Sequence, residues 1–229
     1  IKHVAGRKIQ RLRRRGKQIA AVLDNGILGL HMGMTGQVNI LKSDEVTPRF
    51  TRAEFSLRKD DRNIRMAVVD PRRWASIRLF PSLRQAFYGL GPDALDPNCT
   101  AEIFVDTLSR RSARIKPLLL DQSLIAGVGN IYADESLYRS RISPLRRSNR
   151  ISDERLNTLY HALRGCLQHA LEFILNHPDD RGRPYIVNAY DKRMNLQRRP
   201  GSFCPRCEYP LKKKVIGGRT AYYCPACQT

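Results

Sequence analysis

The chain has 229 residues, with 41 Lys and Arg against 21 Asp and Glu, a formal net charge of +20, and 41% hydrophobic residues. That content supports a packed core in one or two domains, and no run of about eighteen apolar residues marks a membrane span. So large a cationic excess repels itself and is relieved by a polyanion; the arginines are spread along the chain instead of forming one juxtamembrane cluster, which argues against a membrane-surface protein.

The first eighty residues read as β-structure. Ile9 to Leu12 and Gln18 to Leu23 are short apolar or alternating runs, Asp24-Asn25-Gly26 is a hairpin turn, and Ile27 to His31 resumes the strand. Gln37 to Leu41, Ala53 to Leu57, Ile64 to Val69 and Ala75 to Phe80 follow, broken by Pro48, by Lys59-Asp-Asp-Arg-Asn63 and by Pro71. Short strands at this spacing predict a sandwich or barrel.

After Leu90-Gly-Pro-Asp-Ala-Leu95 the period changes to that of helices. Ala101 to Leu108 is one. Ser152 is placed to cap the clearest helix, in which Leu156, Leu159, Leu163, Leu167, Ala170, Leu171 and Ile174 share one face and which ends before Pro178. Cys166 reads as a small core residue beside that face, and His161 and His169 as satisfied or solvated side chains. Residues 178–203 are polar and read as a loop. Between the two helices, Ala126-Gly-Val-Gly-Asn130 is a glycine-bearing turn opening a further helix, whose first amides can face an anion. A tight packing elbow is the alternative; with Arg110, Arg111, Arg114, Lys116, Arg139 and Arg141 around it, phosphate contact is favoured.

The last thirty residues hold Cys204-Pro-Arg-Cys207 and Cys224-Pro-Ala-Cys227, separated by sixteen residues. Two such pairs converge on one tetrahedral zinc; disulfides or redox dithiols are the competing reading. Four thiolates close the site to water, so the metal is structural. Between the pairs, Gly217-Gly218 reads as the tip of a β-hairpin with Val215-Ile216 and Ala221-Tyr-Tyr223 on its arms, and Arg219 projects from that tip among Lys212, Lys213 and Lys214.

The ordered motifs Arg-Arg-Gly-Lys17, His31-Met-Gly-Met34-Thr-Gly36, Asp70-Pro-Arg72-Arg-Trp74, Leu-Gly-Pro-Asp-Ala-Leu95, Ile115-Lys116-Pro117, Ala-Gly-Val-Gly-Asn130-Ile-Tyr-Ala-Asp-Glu-Ser-Leu137 and the four cysteines together resemble the bacterial formamidopyrimidine-DNA glycosylase family, whose relatives include endonuclease VIII. The resemblance implies an α+β multidomain fold: an N-terminal β-sandwich at 1–92 that is incomplete, lacking its first helix, a helical domain at 93–198 with a helix-two-turn-helix, and a zinc finger at 199–229. It implies a monomeric base-excision repair enzyme of the bacterial cytoplasm and nucleoid, which binds double-stranded DNA in the cleft between sandwich and helices. There it flips out an oxidised purine such as 8-oxoguanine or a formamidopyrimidine, removes it and nicks the abasic strand.

Carried over residue by residue, Met34, Arg72 and Trp74 fill the space of the flipped base, with Trp74 standing where the family has phenylalanine; packing of Met34 and Trp74 on the sandwich is the plainer reading. Lys17 assists strand cleavage, or is one more phosphate ligand. Arg219 matches the finger arginine linked to the second elimination; since a guanidinium is a poor acid, phosphate clamping is its favoured contribution. Arg111 and Asn130 match DNA contacts, with Lys116 beside them, and Cys204, Cys207, Cys224 and Cys227 hold one structural Zn2+. The chain departs from the pattern at its start, Ile1-Lys-His-Val, where the family opens on Pro-Glu with the proline amine as nucleophile, and so reads as a fragment of a longer frame. Phe50 and Arg52 stand where histidines are frequent, and the stretch from Asn176 to Gln197 lacks the usual glycine-rich, tyrosine-containing pattern of the loop over the flipped base. The alternatives are a non-catalytic binder of damaged or abasic DNA and an endonuclease VIII-like glycosylase for oxidised pyrimidines.

Overall fold

In a computed structural model, residues 4–179, 182 and 194–229 are described. The chain divides after Tyr88 into two compact units.

The first unit is two packed antiparallel sheets. Strands β1 (Ile9–Arg15), β2 (Gln18–Leu23), β3 (Ile27–His31) and β7 (Ser76–Phe80) form one, in the order β1-β2-β3-β7, and β4 (Gln37–Lys42), β6 (Arg62–Val69) and β5 (Thr51–Lys59) the other, in the order β4-β6-β5. Because side chains alternate across a strand, Ala21, Leu23, Leu28 and Leu30 of the first sheet face Ala53, Phe55 and Val68 of the second, and this is the core. The opposite face of the first sheet carries Ala20, Val22 and Ile27, covered by the short helix α1 (Leu83–Ala86) through Ala86. The expected sandwich is present: β2 and β3 match the predicted runs, β4 and β6 extend them by one and two residues and β5 by two at each end, and β7 starts one residue later. The main difference is β1, which runs to Arg15: the arginine run lies on an exposed edge strand, where repulsive charge discourages pairing with another chain.

Register places the site. Gln18 pairs with His31, and His31 pairs with Ser76. The Gly16-Lys17 turn, the 32–36 loop after β3 and the 70–75 loop before β7 therefore emerge at one end of the first sheet.

The second unit is built on helices α2 (Ala101–Ser109), α3 (Ile115–Leu120), α4 (Asn130–Arg139) and α5 (Asp153–Asn176). The 3.6-residue stripe read along α5 is buried in its first half, where Leu156, Leu159 and Leu163 meet Phe104, Leu108, Ile115, Leu119, Ile125 and Leu137, and at Ala170; Leu167 and Ile174 are half-buried and Leu171 is exposed, so the expected face runs out toward the end of the helix. Ser152 stands at the N-cap of α5 as expected, although its hydroxyl meets Glu154 instead of capping an amide. Cys166 is buried, and His161 and His169 are exposed. Strands β8 (Lys212–Ile216) and β9 (Arg219–Tyr223) make the terminal hairpin, turning at the two glycines. Much of the predicted 178–203 loop lies outside the described residues.

Candidate nucleic-acid interface and metal centre

In the first unit, one buried carboxylate organises the end of the sheet. Asp70 is fully buried; its Oδ1 accepts from the Thr35 hydroxyl (2.6 Å) and the Arg72 amide (3.2 Å), and its Oδ2 from the amides of Trp74 (2.5 Å) and Ala75 (2.7 Å). The Thr35 hydroxyl first, and then these amides, hold its carboxyl below the usual range against the opposing effect of burial. One side chain thus ties the 32–36 loop to the 70–75 loop. Gly33 completes the junction: its φ is +58°, and a Cβ there would lie 2.7 Å from the Trp74 Cβ and 2.8 Å from its carbonyl oxygen. Arg52 braces the same loop from β5, its guanidinium donating to the carbonyls of Asp70 (2.8 Å) and Pro71 (3.3 Å).

This frame presents side chains that a folding core would hide. Met34 is 64% and Trp74 53% exposed, and the Arg72 guanidinium lies 5.5 Å from the Trp74 ring centroid. Holding a large aromatic in water costs hydrophobic free energy, and Trp74 is held there on a rigid mount. Lys17 is exposed on its turn at the same end of the sheet.

In the second unit, a buried polar knot fixes the base of the hairpin. The Thr220 carbonyl accepts from Lys116 Nζ (2.7 Å), Asn130 Nδ2 (3.1 Å) and Arg198 (3.3 Å), while Asp134 accepts from Lys116 (2.5 Å), Arg198 (3.0 Å) and the Tyr222 amide (3.2 Å). Lys116 and Asp134 are both buried. Burial lowers the lysine's pKa and raises the aspartate's, each shift opposed by the other's charge, with Arg198 a second cation on the carboxylate. The knot joins α3, α4, the segment at 198 and β9. It sets the backbone one residue past Arg219, which is itself exposed. Gly217, at φ +57°, lets the hairpin tip rest on α3: a Cβ there would lie 2.8 Å from the Pro117 ring. Helix α4 begins after Gly129 with no side-chain cap, and amides at such a helix start can face an anion. Arg111, exposed after α2, donates to the Thr107 carbonyl (3.0 Å).

The four terminal cysteines place their sulfur atoms within 4.8 Å of one another, with Cys204–Cys227 at 3.8 Å and Cys207–Cys224 at 3.6 Å. A tetrahedron of Zn–S bonds has edges of about 3.8 Å, so the residues fit the ion. Burial opposes the Cys204 thiolate, but the Tyr138 hydroxyl and the amides of Arg206 and Cys207 bring its pKa down to about 6.

Comparison with known proteins follows the same division. The family model for the formamidopyrimidine-DNA glycosylase N-terminal domain matches residues 1–77, that for the formamidopyrimidine-DNA glycosylase H2TH domain matches 90–176, and that for a zinc finger found in FPG and IleRS matches 201–229. Formamidopyrimidine-DNA glycosylase of Pelotomaculum thermopropionicum is 36% identical over 98% of this chain and 83% of its own length, and that of Thermus thermophilus is 37% identical over 97% and 83%. The chain belongs to the formamidopyrimidine-DNA glycosylase family. Among solved structures, the Lactococcus lactis FPG protein in complex with FAPY-dG-containing DNA superposes with a TM-score of 0.82 at 25% identity, covering 99% of this chain and 84% of that one. MutM in complex with DNA containing carbocyclic 8-oxo-G gives the same score and identity over 100% and 84%. The family finger and the four-cysteine cluster together establish one structural zinc ion, supplying the folding energy of a module too small for a core.

Within this glycosylase frame, Met34, Arg72, Trp74 and Lys17 gather at one end of the first unit, and Arg111, Asn130 and Arg219 lie in the second. Lys116 requires correction: expected among the DNA contacts, it is completely buried, its ammonium engaged by Asp134 and Thr220, and it presents nothing to a phosphate. Asn130 also turns its side-chain amide inward, onto the Thr220 carbonyl. Sequence reasoning overlooked Asp70, although an aspartate before Pro71 carries the signal of a side chain bonding the amides that follow. It also overlooked Asp134 and Arg198, which no local pattern announces because their partners are distant in sequence.

Proposed function

We propose that the protein is a base-excision repair enzyme that extrudes an oxidised purine, removes it and nicks the abasic strand, working on DNA of the bacterial nucleoid. The observation that carries this reading is the Asp70-anchored frame holding Met34, Arg72 and Trp74 in water. A base inside the stack is out of reach and must be flipped, and the hole left behind needs apolar and aromatic filler together with a donor for the orphaned partner. Met34 and Trp74 supply the first and the Arg72 guanidinium the second, since its fork can meet base-edge acceptors. Lys17 assists strand cleavage from the adjacent turn. In the second unit, Arg111, Arg219 and the amides of α4 grip phosphates and set the register of the strand.

The test, run on the protein translated from its whole reading frame, is turnover of a labelled duplex with one 8-oxoguanine opposite cytosine, followed as base release and strand nicking, beside a duplex with an oxidised pyrimidine. Preferential cutting of the purine lesion supports the proposal, and Lys17→Ala should slow nicking more than it weakens binding. Tight binding of the lesion without cutting would instead identify a non-catalytic binder, and equal loss of binding and nicking in Lys17→Ala would reduce Lys17 to a phosphate ligand.

A further inference from the structure

The zinc finger is mounted on the helical scaffold by a contact that reaches the metal site itself. Tyr138, on α4 and 1% exposed, lies in a small cluster with Leu196, Cys204, Tyr222 and Cys224, outside the finger's own cysteine-bounded segment. Its hydroxyl is 3.5 Å from the Cys204 sulfur. A zinc-bound thiolate has no proton, so the hydroxyl is the donor. Arg206, one of the two residues between the first two cysteines, closes the arrangement from the other side. It places its guanidinium 4.2 Å from the Tyr138 ring centroid and donates to the carbonyls of Tyr138 (2.8 Å) and Arg139 (3.3 Å), in the last turn of α4. The knuckle therefore grips the end of a helix, and that helix returns a hydrogen bond to one ligand.

We propose that Tyr138 is a positioning residue of the zinc centre: its hydroxyl orients the Cys204 thiolate, so that metal retention depends on the docking of the finger on α4. Hydrogen bonds from beyond the ligands fix ligand direction and donor strength, and their removal typically costs metal sites about 10–100-fold in affinity. Here the donor belongs to the element that also carries Asn130 and Asp134, whose knot fixes the Arg219 hairpin. The metal and the phosphate-facing arginine are thereby mounted on one helix.

The discriminating substitution is Tyr138→Phe, which keeps the ring, its packing and the Arg206 contact and removes only the hydroxyl. In the full chain, zinc transfer to a chromogenic chelator at neutral pH should become about tenfold faster. The 113Cd resonance of the cadmium-substituted protein should move, since it reports the thiolate environment directly. Leu196→Ala thins the same cluster without touching sulfur; it should lower thermal stability while leaving the cadmium resonance in place. An unchanged release rate and resonance in Tyr138→Phe would overturn the proposal, as would a Leu196→Ala shift equal to that of Tyr138→Phe, which would make the effect one of packing.

Discussion

Replacing Lys116 by methionine separates the two roles open to that residue. The substitution keeps the length of the buried stem and deletes the ammonium, leaving Asp134 without its 2.5 Å partner and Thr220 without a 2.7 Å donor. Breaking a buried ion pair from one side costs about 3–5 kcal/mol because the remaining charge is stranded. Asp134 keeps Arg198 at 3.0 Å and the Tyr222 amide at 3.2 Å, so the lower end, about 3 kcal/mol, is expected. For a chain of this size that lowers the melting temperature of the helical unit by roughly 6–12 °C, measurable by calorimetry. Replacing both partners, as in Lys116→Met with Asp134→Leu, should recover part of the loss, because no charge is then left buried. DNA affinity at a temperature where the variant is folded should keep the wild-type salt dependence. If Lys116→Met instead melts like the wild type and loses about one unit of salt slope, the lysine is a phosphate ligand and the buried knot is misassigned.

Asp70 and the metal offer two further tests. Trp74 is the chain's only tryptophan and half-exposed on the Asp70 loop, so its fluorescence reports that loop. Asp70→Asn should red-shift the emission and weaken the preference for abasic over intact duplex, because the amide nitrogen would face the donors of Trp74 and Ala75. The native carboxyl is held below its ordinary value, so its contribution is complete above the unfolded pKa of about 3.9 and lost as pH falls through the folded value. Emission should therefore stay constant from neutrality to about pH 4 and change only below it; a transition near pH 6 would contradict this anchoring. Removing zinc by chelation or by Cys204→Ser should disorder the hairpin and weaken DNA binding with it, and a metal-free chain with an intact finger and unchanged affinity would refute the structural role of the ion.

Periodicity carried most of the architecture. Alternation in β5 marks Ala53 and Phe55 as its core face, the continuous apolar runs of β2 and β3 mark strands covered on both faces, and the leucine stripe of α5 marks the buried face of its first half, because each pattern lies within one element. The cysteine spacing was legible for a similar reason, since two short knuckles must meet on one ion. What stayed hidden involves groups whose environment is made by distant chain. Lys116 sits among arginines in the sequence and reads as one more cation, yet Asp134 and the Thr220 carbonyl lie 18 and 104 residues away. Arg52 reads as a lost contact where histidine is usual, and its guanidinium instead braces the 70–71 backbone. No sequence pattern singles out Tyr138, and only the fold brings Cys204 to its hydroxyl.

The division between phosphate grip and base-space filler is the centre of the account, and binding curves at several salt concentrations on intact and abasic duplexes, for Arg219→Ala and Trp74→Ala, measure it. Arg219→Ala should weaken both duplexes alike and lower the magnitude of the salt slope by about one, as loss of a single phosphate contact requires. Trp74→Ala should leave the slope unchanged and erase most of the preference for the abasic duplex, because the ring acts only where stacking is broken. A Trp74→Ala protein that loses salt slope and keeps its preference for damage would contradict the account and return Trp74 to a packing residue on the sandwich.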